Sequence, residues 1–211
     1  MIYMQEQFRS KLILVNIFTL ARVALFPVIL VLVLSGGLVN ILIAFFLFVI
    51  GALTDAFDGI LARKYNVESK FGFIIDPIAD KFLVLGTLLA ISLVDYLMIP
   101  IWLFFVILFR DVIVSILKPI SERWGFSIPT TLFAKVKTTV QFVGIILVFV
   151  YLIFVNLTVY SVSGNQLLSV EVFSLLPYYI VLFVAMVTII SGVEYLVLFV
   201  RGIRGVRNGG R

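Results

Sequence analysis

The sequence predicts an all-α polytopic membrane protein with six transmembrane helices, and two observations predict it: the composition and the spacing of the apolar runs. Of the 211 residues, 63% are hydrophobic and 13% are charged, and the mean hydropathy is +1.25. A soluble domain is about 45–50% apolar and about 25% charged. The composition therefore excludes a soluble domain, a disordered chain and a collagen. It also excludes a nucleic-acid-binding domain, despite a net charge of +5.

Six apolar runs have about the 20 residues that a helix needs to cross a bilayer. Turn-forming residues separate them, because Ser35-Gly36-Gly37 follows the first run and Asp95 to Pro100 follows the third. No repeat or second domain is visible, so residues 1–211 are predicted to form a single membrane domain. The predicted spans are residues 12–35, 39–62, 73–94, 98–117, 135–158 and 174–200.

The two ends of the chain are expected to lie at the membrane surface. Residues 1–11 can form a short interfacial helix. Residues 201–211 read RGIRGVRNGGR, a basic and Gly-rich tail that is expected to be mobile and attracted to anionic lipid head groups. A solvated tail without a function is the alternative.

Basic residues lie on one side of the predicted spans. The connections at residues 35–40, 95–99 and 159–173 contain no lysine or arginine. Lysine and arginine accumulate in the cytoplasmic loops of membrane proteins, so both termini are predicted to be cytoplasmic. The basic residues of that side are Arg9, Lys11, Arg63, Lys64, Lys70, Lys118, Arg123, Lys135, Lys137, Arg201, Arg204, Arg207 and Arg211.

The chain contains no cysteine and no histidine. Disulfide bonds, thiolate zinc sites, cysteine nucleophiles and imidazole bases are therefore excluded. Any chemistry must use carboxylates, lysine, arginine or hydroxyl groups.

Four aspartates fall inside predicted spans 2 and 3, where a carboxylate is unfavourable by about 2.5–3.5 kcal/mol. Asp55 and Asp58 are three residues apart, and Asp76 and Asp80 are four apart, so each pair shares one helix face. At 1.5 Å per residue, Asp55 lies about 12 Å before Arg63, and Asp80 about 15 Å beyond Lys70. The two pairs therefore reach similar depth on antiparallel helices, and four carboxylates are predicted to converge.

Oxygen ligands without histidine or cysteine suit Mg²⁺ or Mn²⁺ rather than zinc. Two such ions can promote displacement at phosphorus. The small residues Gly59, Ala62 and Gly72 lie near these aspartates and would let backbone approach a bound group closely. A divalent-cation site in a cavity open to the cytoplasm is the prediction, and structural salt bridges are the alternative.

Basic side chains are predicted to reach the same level from other spans. They suggest an anionic substrate, most naturally one with phosphate groups. The alternative is that Arg22 and Arg110 neutralise aspartates, and for Arg110 the adjacent Asp111 favours it. Glu194 is expected to be a paired or snorkelling acid. The residues of this set are Arg22, Arg110, Lys135 and Lys137.

Residues 55–80 read DAFDGILARKYNVESKFGFIIDPIAD, which is Asp55-x2-Asp58-Gly59-x2-Ala62-Arg63-x8-Gly72-x3-Asp76-x3-Asp80. This run resembles the signature of the CDP-alcohol phosphatidyltransferases, and every fixed position is present at its spacing. Residues 16–28, 74–81, 110–118 and 134–141 are similar to the branch of that family whose acceptor is glycerol 3-phosphate. Mild departures at Arg110-Asp111, Lys118 and Ala134-Lys135 bear on the acceptor rather than on the reaction.

The resemblance implies a role for each matching position. Asp55, Asp58 and Asp76 would bind two Mg²⁺ or Mn²⁺ ions, and Asp80 would be a ligand or near-ligand and the general base. Arg110, Lys135 and Lys137 would hold the phosphate of the acceptor. The residues implied to contact CDP-diacylglycerol are Asn16, Thr19, Gly59, Arg63, Ser69 and Gly72.

The resemblance also implies a bacterial inner-membrane enzyme, commonly a homodimer. It would transfer a phosphatidyl group from CDP-diacylglycerol to glycerol 3-phosphate, giving phosphatidylglycerophosphate and CMP. An inositol phosphate, another alcohol, or phosphatidylglycerol for cardiolipin synthesis are alternative acceptors. A cation transporter and a structural membrane subunit are the alternatives from other classes.

Overall fold

The computed structural model describes residues 23–65, 72–129, 131–161 and 174–209, and within these the side chains of 55–65, 72–80, 159–161 and 207–209 fall outside the description. The described part is all-helical and contains no strand, which confirms the all-α prediction. A short 3₁₀ helix, Asp95–Leu97, lies in the third connection. The α-helices are α1 (Val23–Ser35), α2 (Leu38–Tyr65), α3 (Gly72–Ser92), α4 (Ile101–Arg123), α5 (Leu132–Ser161) and α6 (Leu176–Gly209).

Two of the described helices are long and apolar enough to cross a membrane. They are α5 over Leu132–Thr158, with mean hydropathy 2.5, and α6 over Leu176–Val206, with mean hydropathy 2.3. Shorter apolar helical stretches occur at Val23–Ser35, Leu38–Thr54 and Lys81–Ser92. Large apolar side chains such as Phe46 and Phe109 are 57% and 61% exposed. Because water-facing surfaces rarely carry large apolar patches, this surface suits contact with lipid.

The two predicted breaks that lie in described residues, after Ser35 and from Asp95 to Pro100, are present, and several helices extend beyond their apolar runs. Gly36 and Gly37 separate α1 from α2 with φ of 65° and 79°, a backbone region that favours glycine. Helix α4 was expected to end at residue 117 and continues to Arg123, through Pro119. Hydropathy marks only the apolar part of a helix, whereas the backbone hydrogen bonds continue into the polar turns.

The chain divides into two compact units, each described by itself. Unit 1 comprises Met1–Val94 and Phe149–Asn165, and unit 2 comprises Asp95–Val148 and Gln166–Arg211. The division concerns packing, and the single membrane domain over residues 1–211 stays a prediction.

Glycines allow close helix packing in unit 1. A Cβ at Gly51 of α2 would lie 2.8 Å from Leu83 Cδ2 of α3 and 3.2 Å from Leu25 Cδ1 of α1. Gly86 of α3 lies directly under the ring of Phe26 of α1. Helices α1, α2 and α3 therefore meet at two positions where a side chain would stand between them.

In unit 2, α5 and α6 run antiparallel. Gly144 of α5 packs under Val184 of α6, and Thr131, just before α5, contacts Glu194 further along α6. The close approach at Gly144 again depends on a missing side chain.

Residues 201–209 of the basic tail are helical and continue α6, whereas the expected mobility of the tail and its attraction to anionic lipid stay predictions. Phe126, in the connection after α4, covers Gly202 of α6 and lies with its ring centroid 5.6 Å from that of Phe199. This aromatic contact holds the part of α6 around Gly202 against the α4–α5 connection.

Gly86→Ala should destabilise the protein by about 1–3 kcal/mol, because its new methyl group would overlap the Phe26 ring. Gly205→Ala is the matched control, since nothing lies within 4 Å of a Cβ there. It should be neutral or stabilise the helix by about 0.5–1 kcal/mol. Thermal unfolding of the detergent-purified variants measures both effects, and equal melting temperatures would contradict the packing described for α1 and α3.

Candidate active site

The four aspartates lie on two helices that pack together. Asp55 and Asp58 belong to α2, and Asp76 and Asp80 belong to α3. Their side chains fall outside the description, so the structure places their backbone positions only. Each pair lies within one continuous helix, so its spacing places both backbone positions on one helix face, and the convergence of the four carboxylates stays a prediction.

The contact between Gly51 and Leu83 fixes the register of these acidic positions. Asp55 follows Gly51 by four residues, one turn toward the connection between α2 and α3. Asp80 precedes Leu83 by three residues, one turn toward the same connection. Positions three or four apart share a helix face, so Asp55 and Asp80 lie at similar levels on the helix faces that carry this contact.

The remaining residues implied for CDP-diacylglycerol are only partly placed. Asn16, Thr19 and Ser69 lie outside the described residues, as does Arg22. Gly59, Arg63 and Gly72 lie in α2 and α3, with the arginine side chain outside the description. Among the side chains that are described, no group of three or more acidic residues could hold a metal ion.

Unit 2 contains a buried polar cluster, which comprises Arg110, Asp111, Lys137, Gln141 and Ser191. Asp111 is 3% exposed and Lys137 is 6% exposed. The Lys137 ammonium donates to both carboxylate oxygens of Asp111, at 2.7 and 2.6 Å. This is a compact ion pair within the helices of unit 2.

The helical periodicity of α4 and α5 brings this pair together. Asp111 continues the buried stripe of α4, four residues after Ile107 and eight after Leu103. Lys137 begins the corresponding buried stripe of α5, which continues through Gln141 to Ile145. Spacing of three to four residues keeps each stripe on one face, so a carboxylate and an ammonium face each other where apolar side chains would otherwise pack.

Arg110 is held by both its neighbour and α6. Its Nη1 donates to Asp111 Oδ1 at 3.1 Å, and its Nη2 donates to the Ser191 hydroxyl. A Cβ at Gly192 would lie 2.8 Å from Arg110 Cγ. Ser191 and Gly192 therefore position the arginine side chain against α6. Ser191 accepts its hydrogen bond, and Gly192 leaves room for its aliphatic part.

Lys135, the third predicted phosphate ligand, is exposed in the first turn of α5. That turn is fixed by Thr131, whose hydroxyl oxygen accepts from the Ala134 amide at 3.2 Å, as an N-cap residue does. The same hydroxyl donates to Glu194 Oε2 at 2.7 Å. Glu194 is thus a paired acid, in agreement with the prediction, and it ties α6 to the start of α5.

Sequence reasoning assigned no site role to Asp111, Gln141, Ser191 or Gly192. In the sequence Asp111 stands out only as the neighbour of Arg110, whereas in the structure it contacts both Arg110 and Lys137. A serine–glycine pair inside an apolar helix is the signal that marks a close approach on α6. The proposed phosphate role of Arg110 and Lys137 stays a prediction, and both side chains are paired with Asp111.

The described part of the chain is an all-helical protein with apolar helices and a few buried polar groups, as expected of a membrane-associated protein. The family model for CDP-alcohol phosphatidyltransferase matches residues 12–190. The chain belongs to the CDP-alcohol phosphatidyltransferase family and is a transferase of phospholipid biosynthesis. The resemblance seen in the sequence is confirmed.

Curated relatives give the same family in several bacteria. The chain is 34% identical over 197 residues to a probable phosphatidylglycerophosphate synthase of Mycobacterium tuberculosis, covering 92% of this chain and 85% of that protein. It is 34% identical over 183 residues to a CDP-diacylglycerol–glycerol-3-phosphate 3-phosphatidyltransferase of Rickettsia bellii, covering 85% and 91%. A Bacillus subtilis protein of that name is 34% identical over 142 residues, covering 62% and 72%.

Asp111→Asn should destabilise the protein by about 3–5 kcal/mol, because it removes the carboxylate from a buried ammonium. Lys137→Met should cost less, since Arg110 remains beside Asp111. The double variant should recover much of the loss, because a neutral pair replaces a buried ion pair. Thermal unfolding of the four proteins gives the coupling between the sites, and additive losses would contradict the ion pair.

Proposed function

We propose that this protein transfers the phosphatidyl group of CDP-diacylglycerol to glycerol 3-phosphate, giving phosphatidylglycerophosphate and CMP. The observation that carries the proposal is the register of the acidic pairs on α2 and α3, which the Gly51–Leu83 contact sets at matching levels. The name of the Rickettsia relative supports glycerol 3-phosphate as the acceptor, and that of the Mycobacterium relative supports phosphatidylglycerophosphate as the product.

The donor set on α2 and α3 fits a pair of divalent cations. Asp55, Asp58 and Asp76 would hold Mg²⁺ or Mn²⁺, with Asp80 as a ligand or near-ligand. Two aspartate pairs on adjacent helices offer oxygen donors only, as hard cations prefer. When bound, the ions supply charge neutralisation of the diphosphate.

CDP-diacylglycerol would be bound by residues from the start of the chain and from the signature segment. Arg63 carries a guanidinium suited to a phosphate group, and Gly59 and Gly72 leave room for the nucleotide to approach backbone. Asn16, Thr19 and Ser69 would add hydrogen bonds to the CDP group.

The acceptor phosphate would be bound by Arg110, Lys135 and Lys137. Lys135 is exposed on the first turn of α5, where the helix dipole also favours an anion. Arg110 and Lys137 are held in place by Asp111, so their side chains need little ordering when the acceptor binds. Recognition of the phosphate would orient the acceptor hydroxyl.

The reaction is a displacement at the β-phosphorus of CDP-diacylglycerol. Asp80 accepts the proton of the acceptor hydroxyl as its oxygen forms a bond to that phosphorus. The bond between the β-phosphorus and the bridging oxygen of the diphosphate breaks, and CMP leaves with that oxygen. No step needs an imidazole, and the chain has no histidine.

The membrane arrangement proposed for this enzyme has six transmembrane helices, both termini in the cytoplasm and a site open to the cytoplasmic side. The distribution of lysine and arginine supports the orientation. A bacterial inner membrane and a homodimer complete the proposal.

Asp80→Asn should lower the rate of CMP release by about 10²–10⁴-fold, the usual contribution of a general base. Asp95→Asn is the matched control, because Asp95 is an exposed acid of the short 3₁₀ helix and should leave the rate unchanged. CMP release from CDP-diacylglycerol with glycerol 3-phosphate is measured in mixed micelles, before and after chelation of divalent ions. Full activity of Asp80→Asn would refute its role as the base, and activity in chelator would refute the metal requirement.

Lys135→Ala should raise KM for glycerol 3-phosphate by about tenfold or more, as expected for the loss of one charge-assisted hydrogen bond. KM for CDP-diacylglycerol should not change. Arg123→Ala, which removes an exposed cation at the end of α4, serves as the control for a general loss of positive charge. An unchanged acceptor KM in Lys135→Ala would argue for a neutral alcohol as the acceptor.

A further inference from the structure

Gln141 is a buried amide without a hydrogen-bond partner. It is 2% exposed and lies on α5, one turn after Lys137. Within the described part of the chain, its Nε2 group reaches no acceptor. A buried polar group left in this state costs about 1–3 kcal/mol, so the position calls for an explanation.

The neighbouring helix does not supply the missing acceptor. Gly144, three residues after Gln141, packs under Val184 of α6. Because α5 and α6 run antiparallel, one turn forward along α6 from Val184, to Thr188, corresponds to one turn back along α5 from Gly144. Thr188 therefore lies near the level of Gln141. Its hydroxyl donates to the Val184 carbonyl of its own helix at 2.7 Å. The hydroxyl oxygen could still accept a hydrogen bond, but it forms none with the Gln141 amide.

A second donor of the same cluster is also unsatisfied. The Nε group of Arg110 is buried and reaches no acceptor among the described residues, although both terminal nitrogens are bonded. Both missing partners are acceptors. A ligand that carries several acceptor oxygens, such as a phosphate group, would satisfy this pattern, whereas a donor group would not.

We propose that Gln141 is a specificity-determining residue that donates a hydrogen bond from Nε2 to a phosphate oxygen of the acceptor substrate. The inference rests on the proposed function and extends its phosphate site by one turn of α5 beyond Lys137. The amide adds a directional donor beside two charged groups, and it favours a phosphorylated acceptor over a neutral alcohol of similar size.

Gln141→Met tests the inference, because methionine has a similar volume and removes the donor. KM for glycerol 3-phosphate should rise by about tenfold, with KM for CDP-diacylglycerol unchanged. The melting temperature should stay the same or rise, since the variant removes an unsatisfied group from the interior. Thr188→Val is the matched control: it removes a buried hydroxyl that is bonded within its own helix, and the acceptor KM should not move.

Direct binding separates this inference from the proposed function. Titration of the purified protein with glycerol 3-phosphate and with inorganic phosphate, read as a thermal shift, reports acceptor affinity without turnover. Wild-type protein that binds phosphate but releases no CMP would refute the proposed function alone. Gln141→Met should then still bind about tenfold more weakly than wild type.

Two results would overturn the inference. One is an unchanged acceptor affinity in Gln141→Met, which would assign the amide to a bound water or to packing. The other is wild-type protein that gains no stability from either phosphate compound.

Discussion

A charge inside an apolar helix bundle must be neutralised by a neighbouring group. In unit 2 the buried ion pair of Asp111 and Lys137 does this, and the positions of the other buried polar side chains depend on it. The carboxylate receives both hydrogen bonds at 2.6 and 2.7 Å and also contacts Arg110 at 3.1 Å. A single acid therefore holds two cations. Because breaking a buried ion pair leaves an uncompensated charge, α4 and α5 are restricted to the register in which these groups meet.

The same constraint explains the small residues of α6. Arg110 can lie against α6 because Gly192 leaves room for its side chain and the Ser191 hydroxyl accepts a hydrogen bond from its Nη2. A charged side chain that is already held in one position loses little conformational entropy when a ligand binds. In unit 1, Gly51 and Gly86 also leave room for side chains of neighbouring helices, and they allow close packing of the helices that carry the acidic positions. Glycine at close approaches thus sets the helix register in both units.

Much of the fold and part of the site are predictable from the sequence. What can and cannot be predicted differs for a physical reason. Hydropathy locates the helices because each apolar run must be buried or face lipid, and the aspartate spacing is a property of one helix at a time. The bond from Lys137 to Asp111 joins residues 26 apart, and the bond from Arg110 to Ser191 joins residues 81 apart. Such pairs depend on how helices pack, which no local pattern encodes. The contact between Phe126 and Gly202 of α6 likewise joins residues from separate parts of the chain.

We expect this member of the CDP-alcohol phosphatidyltransferase family to use glycerol 3-phosphate as its acceptor. The most direct measurement reconstitutes the purified wild-type protein with CDP-diacylglycerol and offers glycerol 3-phosphate, an inositol phosphate, glycerol and phosphatidylglycerol in separate reactions. CMP and the lipid product are quantified in each. We expect equal amounts of CMP and phosphatidylglycerophosphate with glycerol 3-phosphate, and little product with glycerol. Efficient transfer to glycerol or to phosphatidylglycerol, with none to glycerol 3-phosphate, would contradict it.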